Sequence, residues 1–155
     1  MTIVPRQRPS YTAHVPRLLV NIDVDDLERA VRFYTAALDL RVARRLGDGA
    51  VELLGAEAPI YLLAAAAGTT PHRGAVVARH YGRHWTPVHL DFVVDDLAAA
   101  VERAVAAGAR VEAPVAERPY GRIAVLADPF GHGLCLLQFT GRGYDAIATT
   151  PGEAP

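Results

Sequence analysis

One stretch of the sequence occurs twice, and this duplication limits the possible folds more than any other feature. Residues 87–102 read PVHLDFVVDDLAAAVE, and residues 17–32 read RLLVNIDVDDLERAVR. Both copies contain an alternating apolar and polar stretch, then an Asp-Asp step, then apolar residues at helical spacing. We therefore predict one supersecondary unit used twice, with the duplicated faces packed on each other or on a partner.

Both units are predicted to have the element order βαβββ. The strands are expected at residues 18–24, 40–45, 50–54 and 60–64 in the first unit, and at 87–94, 110–113, 123–127 and 134–139 in the second. Asp25 or Asp26 is placed to cap the first helix, and the second helix is expected at 96–107, ending at Gly108. The predicted fold class is α+β, with two βαβββ modules.

The same pattern divides the chain into five segments. An N-terminal arm is predicted at residues 1–15, a first module at 16–68, a linker at 69–86, a second module at 87–140 and a C-terminal tail at 141–155. The linker is rich in Gly, Arg and His and is too short to form a domain.

Composition excludes several classes of function. The net charge is −1 and all 16 basic residues are Arg, interspersed with acids, so we predict no nucleic-acid partner and no lysine-based chemistry. Cys135 is the sole cysteine, which excludes an internal disulfide and favours a reducing, cytoplasmic location. The N-terminal residues have no apolar signal segment, and no run approaches the ~18–20 apolar residues of a membrane span. We expect no membrane association.

Three stretches resemble the vicinal oxygen chelate superfamily, which includes glyoxalase I, bleomycin-resistance proteins and extradiol dioxygenases. They are VDDLERAVRFYTAALDL at 24–40, VDDLAAAVERAVAAGARV at 94–111, and GRIAVLADPFGHGLCLLQF at 121–139. The resemblance implies two curved modules whose strands enclose a cleft, with both helices outside. One departure is Asp39, where the family usually ends the first helix with Leu-Gly.

The resemblance also implies where a divalent metal would bind. Catalytic members of the superfamily hold the metal at one position on the first strand and one on the last strand of each module. The corresponding residues here are Leu19, Tyr61, His89 and Cys135. His89 matches the usual ligand type, whereas Cys135 stands where the family has Glu. If a metal binds, its expected ligands are His89, Cys135 and Tyr61, or Asp91 in place of Tyr61, and the metal would be zinc, nickel or iron.

Strand alternation predicts a polar cleft even without a metal. It puts His89 and Asp91 on one face of their strand, and Asn21 and Asp23 on the equivalent face of the first unit. A dry carboxylate is costly, so this face is expected to be a wetted pocket for a small molecule. The alternative is that these polar groups satisfy one another across the duplication.

Three further residues could contact a ligand of this cleft. Arg122 and Tyr120 lie at the start of the penultimate predicted strand and could meet an anionic or aromatic ligand. Trp85, the sole tryptophan, could form a lid or a stacking wall, and the alternative is packing at an interface. The predicted ligand site is therefore His89, Asp91, Asn21, Asp23, Tyr61, Cys135, Arg122 and Trp85.

Two classes of function follow from these predictions. The favoured one is a protein that holds a small organic molecule in the cleft without the usual metal. The alternative is a glyoxalase-like lyase or isomerase with an unusual metal set, while an extradiol dioxygenase is disfavoured because Cys135 replaces the carboxylate. A nucleophilic Cys135 is a third, weaker interpretation, since its leucine neighbours suggest burial. A homodimer is expected, because the duplicated sheets have edges and faces to cover.

Overall fold

The computed structural model describes residues 16–149, so the predicted N-terminal arm and residues 150–155 of the predicted tail lie outside the described part. The first module contains β1 (Val20–Val24), α1 (Leu27–Leu38), β2 (Arg41–Leu46), β3 (Ala50–Leu54) and β4 (Ile60–Ala64). The second contains β5 (Leu90–Val93), α2 (Leu97–Ala107), β6 (Arg110–Arg118), β7 (Gly121–Ala127) and β8 (Gly133–Phe139). A short 3-10 helix follows at Gly143–Ala146.

The two modules have the same sheet topology. The strand orders are β1-β4-β3-β2 and β5-β8-β7-β6. In each sheet the first strand pairs parallel to the last, and the other neighbours pair antiparallel. The predicted α+β fold with two βαβββ modules is confirmed.

The second aspartate of the Asp-Asp step is the N-cap residue of each helix. The carboxylates of Asp26 and Asp96 accept hydrogen bonds from the backbone N–H groups of Arg29 and Ala99, at 2.9 and 3.1 Å. These bonds satisfy donors that a helix start leaves unpaired. Asp39 ends α1 in the left-handed conformation with φ 55°, where the resembling family usually has glycine.

The core lies between the helices and one face of each sheet. Ile22 and Val24 are buried in it, and Leu90, Phe92 and Val94 pack against it. Helices α1 and α2 also pack against each other, which joins the two modules on that side. These apolar strand residues therefore face the helices, and the residues that alternate with them in β1 and β5 face the other way.

Two strands differ in extent from the prediction. β5 begins at Leu90, three residues later than expected, because the segment after Pro87 pairs with no neighbouring strand. β6 extends to Arg118, well beyond the predicted end at residue 113. Pro114 lies inside β6, which is an edge strand with two register shifts, a setting that tolerates proline.

Candidate functional site

The side of the second sheet that faces away from α2 holds three of the eight predicted site residues, and we term it the open face. Leu134 and Leu136 of β8 are buried in the core, so the residues that alternate with them point the other way. The open face consists of His89, Asp91, Val93, Cys135, Leu137 and Phe139. Cys135 and Leu137 are buried at its floor, whereas Val93 is exposed at its margin.

Three side chains on the open face converge, and we call them the polar trio: His89, Asp91 and Cys135. One ligand atom from each lies within 4.8 Å of the others. The β5–β8 register places Asp91 directly beside Cys135, and Nε2 of His89 is 3.3 Å from Oδ1 of Asp91. The His89 and Asp91 side chains are 41% and 34% exposed, so an incoming molecule can reach them.

The thiol of the polar trio is held in its protonated form. Burial, reinforced by the charge of the Asp91 carboxylate and by its hydrogen bond, raises the pKa of Cys135 to about 12. A thiolate is the nucleophilic species, and little of it forms near neutral pH at such a pKa. This environment gives no support to the interpretation of Cys135 as a nucleophile.

Four aromatic residues surround the polar trio, and we call them the aromatic rim: Trp85, Tyr120, Phe139 and Tyr144. The Tyr144 ring lies 4.7 Å from that of Phe139 and 5.0 Å from that of Tyr120. Because Phe139 alternates with Leu137 and Cys135 along β8, this contact brings the Tyr144 ring to the open face. Burial and the nearby charge of Asp91 raise the pKa of Tyr144. Trp85 stands on the other side, with its ring edge-on to His89 at 5.2 Å.

Trp85 is fixed in place by contacts from the linker and from β8. The Arg83 guanidinium lies over the indole, 4.9 Å from its centroid, and forms an ion pair with Glu112 of β6. On β8, a Cβ at Gly133 would lie 2.8 Å from the indole of Trp85. Only glycine therefore allows the indole to lie this close to the strand. The end of the linker thus docks on the second module and carries the tryptophan to the site.

The structure groups Tyr61 with residues of the first sheet instead of with the polar trio. Its hydroxyl donates a 2.6 Å hydrogen bond to Glu52, and Arg44 donates two more, of 2.5 and 2.7 Å, to the same carboxylate. These bonds lower the pKa of Glu52 to about 2, with the bond from Arg44 as the largest cause. The face of the first sheet that corresponds to the open face is therefore closed by its own ion pair.

Asn21 and Asp23 line a different cavity, of about 640 Å³, at the seam between β1 and β5. His89 is the one member of the polar trio that reaches it. Most of its lining is apolar, and Asp23 is already bound to Arg79 at 2.6 Å. His132 contacts the backbone carbonyl of Asp23 at 2.9 Å. Because Asp23 and His132 are already bonded within the protein, we do not place the ligand in this cavity.

Arg122 lies away from the open face. It alternates with Ala124 and Leu126, both fully buried in the core, so it belongs to the helix-facing side of β7. Its Nε lies 2.9 Å from Oε1 of Glu117 on the neighbouring strand. The structure therefore brings together four of the eight predicted site residues, namely His89, Asp91, Cys135 and Trp85.

The polar trio has a donor set that fits a divalent transition metal. An imidazole nitrogen, a carboxylate oxygen and a thiol sulfur are the ligand types of zinc, nickel and iron sites. His89 and Cys135 occupy two positions that the family resemblance assigns to a metal, and Asp91 supplies the third donor in place of Tyr61. Three protein ligands would leave a coordination position for a bound molecule.

Sequence reasoning missed part of the site. Phe139 could have been found, because it alternates with Cys135 along β8. Tyr144 could not, since it lies in the 3-10 helix beyond the last strand and carries no periodic signal. The Arg44–Glu52 pair could not be found either, because it depends on the register of β2 against β3.

Comparison with known proteins relates the chain to one family. Residues 19–137 match the sequence model of the family described as "Glyoxalase-like domain". Fosfomycin resistance protein FosX from Mesorhizobium loti is 19% identical, with a TM-score of 0.62 over 86% of this chain and 98% of its own. A glyoxalase/bleomycin resistance protein/dioxygenase from Nocardioides is 21% identical, with a TM-score of 0.57 over 92% of this chain and 93% of its own.

A third structure contains bound molecules. It is a mutant of FosX from Listeria monocytogenes, complexed with Mn(II) and 1S,2S-dihydroxypropylphosphonic acid. It is 18% identical, with a TM-score of 0.60 over 79% of this chain and 88% of its own. At these identities the likeness shows a shared fold.

No curated protein matches the chain by sequence. Within residues 16–149, no helix has both the length and the apolar character needed to cross a membrane.

Proposed function

Because the chain belongs to the glyoxalase-like domain family, we propose that it binds a small organic molecule on the open face of its second sheet. The observation that carries this proposal is the convergence of the polar trio beside the aromatic rim, of which Trp85, Phe139 and Tyr144 are exposed. An apolar wall with a few convergent polar groups is the usual composition of a small-molecule site. The polar trio would orient the molecule, and the aromatic rim would supply the contact area.

The energetics of the open face favour binding. Val93, Trp85 and Tyr144 are large side chains left 59%, 46% and 51% exposed. Covering apolar surface gains about 25 cal/mol per Å², so a ligand that bridges these side chains is stabilised by their burial. Asp91 and His89 keep unused hydrogen-bonding capacity, which lets them select among ligands by polarity.

A direct test uses the fluorescence of Trp85, the sole tryptophan of the chain. A library of small aromatic and heteroaromatic compounds of different charge would be titrated while the emission and the unfolding temperature are followed. We expect some members to change the emission and to raise the unfolding temperature of the wild type, and His89→Ala to weaken that binding at least about tenfold. Glu57→Gln, an exposed change in the first module, is the matched control.

Two results would count against binding at this face. One is a library in which no member changes the emission of Trp85. The other is binding that His89→Ala and Glu57→Gln leave equally intact, because the ligand would then sit elsewhere.

A second candidate function is supported by the 4.8 Å clustering of the polar trio. We propose as the alternative a metal-dependent lyase or isomerase whose metal is held by His89, Asp91 and Cys135. When bound, the metal would supply Lewis-acid polarisation of an oxygen on the substrate. The chain's own contribution would be to orient the substrate against the aromatic rim and to exclude water from its buried floor.

Metal titration separates the two candidates. The protein would be loaded with Co(II), freed of excess metal, and examined for bound cobalt and for thiolate-to-cobalt absorption. The enzyme candidate requires one equivalent with a thiolate band that is lost in Cys135→Ser, whereas Glu57→Gln should keep it. Wild-type protein that retains no cobalt or zinc at micromolar concentration would eliminate this candidate and leave the binding function.

A further inference from the structure

We infer that the ligand of the open face is a cationic amine or quaternary ammonium compound, held by Asp91 and by the rings of Phe139 and Tyr144. This inference rests on the proposed function and specifies the class of molecule that the site would take. It concerns the metal-free protein, whose charge at this site is that of its side chains alone.

The first step is the charge of the open face. Asp91 is its one carboxylate, and its nearest basic neighbour is His89, 3.3 Å away. The six residues of the open face include no arginine or lysine, so this face presents a carboxylate and an imidazole to its ligand.

Three arginines of the second module are engaged with carboxylates. Arg83 and Arg110 both pair with Glu112, and Arg122 pairs with Glu117 on the helix-facing side of the sheet. An anionic ligand on the open face would be repelled by Asp91. A cation would gain the attraction of Asp91 in a partly buried setting, where screening by water is reduced.

The second step is the arrangement of the aromatic rings. The ring pairs Phe139–Tyr144 and Tyr120–Tyr144 form a continuous cluster, and Phe139 lies on the same face of the sheet as Asp91. A cation within about 6 Å of an aromatic face is attracted by the ring quadrupole. Trp85 already has the Arg83 guanidinium over its face, so the ligand cation is expected on the Tyr144 side of the trio.

This ligand class differs from that of one structural neighbour. The Listeria monocytogenes FosX complex contains Mn(II) and a phosphonic acid, which is an anionic ligand. In this chain the open face presents a carboxylate to its ligand, so the same fold is expected to select the opposite charge.

The test uses three probes that share a phenyl ring and differ in charge: benzyltrimethylammonium, benzyl alcohol and benzylphosphonate. Each is titrated into the full chain with a metal chelator present, following Trp85 emission and the unfolding temperature. We expect benzyltrimethylammonium to bind at least tenfold more tightly than the other two. Asp91→Asn should remove most of that preference, while Asp48→Asn, in the exposed turn between β2 and β3, should keep it.

The outcomes distinguish this inference from the proposed function. Equal binding of the three probes, tighter binding of benzylphosphonate, or an unchanged preference in Asp91→Asn would overturn the inference and leave a ligand site in place. Failure of all three probes, while other members of the compound library change Trp85 emission, would also overturn the inference alone. Failure of every compound would overturn both. Circular dichroism of Asp91→Asn checks that the variant is folded, and Asp91→Glu, which restores the charge, should recover the preference.

Discussion

The hydroxyl of Tyr34 on α1 donates a 2.7 Å hydrogen bond to Oδ2 of Asp128, at the start of the turn before β8. The bond is buried and joins side chains from different modules. Oδ1 of the same carboxylate accepts the backbone N–H groups of Phe130 and His132, each at 2.8 Å. Asp128 therefore organises the turn that leads into β8 and ties that turn to the first module.

Tyr34→Phe should destabilise the protein. The substitution keeps the ring and removes the hydroxyl, which leaves one oxygen of a buried carboxylate without its partner. Losing a bond to a buried charged acceptor costs about 1–3 kcal/mol. Urea unfolding followed by circular dichroism measures this loss, and Tyr81→Phe, whose hydroxyl bonds the Ala65 carbonyl in a less buried place, should cost less. A Tyr34→Phe variant as stable as the wild type would show that the bond does not hold the modules together.

Because of the Arg44–Glu52 pair, the folded protein should become less stable as the pH falls below 4.5. The pKa of Glu52 is lowered from 4.5 in the unfolded chain to about 2 in the folded protein. A carboxyl group whose folded pKa is depressed contributes its stability above the unfolded pKa and loses it as the pH falls toward the folded pKa. The difference in unfolding temperature between wild type and Glu52→Gln should thus be largest near pH 7 and shrink between pH 4.5 and 2.

The control for this pH series is Glu57→Gln, because Glu57 is exposed and lies in the turn before β4. The unfolding temperature of Glu57→Gln should stay close to that of the wild type, and the difference should not change between pH 4.5 and 2. If the Glu52→Gln difference does not change between pH 4.5 and 2, the ion pair contributes nothing to folding.

Cys135 should react slowly with thiol reagents in the folded protein. Its pKa is raised from 9.0 to about 12, so at pH 8 the thiolate fraction falls roughly a thousandfold, and burial slows access further. Labelling with a chromogenic disulfide is the measurement, in native buffer and in denaturant. Rapid native labelling would mean an accessible, activated thiol and would revive the nucleophile interpretation.

The sequence predicted the fold well because the fold repeats. The alternation in the two copies placed the helix-facing residues of β1 and β5, and both aspartate caps follow from the shared Asp-Asp step. The site was harder to predict. The resemblance gave the positions of His89 and Cys135, and alternation added Asp91.

The remaining site residues depend on tertiary contacts that no local pattern encodes. Tyr61 was expected to approach Cys135, but the β3–β4 register puts it beside Glu52. Arg122 was expected to meet a ligand at the start of its strand, but it alternates with the buried Ala124 and Leu126 and so lies on the helix-facing side. Tyr144 reaches the site because the chain turns back at Gly141 and Gly143, both with positive φ.

We expect the protein to be a homodimer, as the sequence analysis predicted. Strands β2 and β6 are sheet edges, and they carry exposed apolar residues such as Val42 and Val111. Unpaired edges with apolar side chains are stabilised when a second copy covers them. Light scattering at micromolar concentration should give about twice the 16.6 kDa chain mass. A mass of one chain across that range would refute the dimer.

Gly133→Ala should disturb the site through Trp85. The added methyl group would come within 2.8 Å of the indole ring, so the ring must move away from its place beside His89. We expect a shifted emission maximum and at least about tenfold weaker binding of any ligand identified by Trp85 fluorescence, with a modest loss of stability. Gly49→Ala is the matched control, because a methyl group there meets nothing within 4 Å. If Gly133→Ala leaves both the emission and the binding at wild-type values, Trp85 is not a wall of the ligand site, and the aromatic rim is reduced to its tyrosine and phenylalanine members.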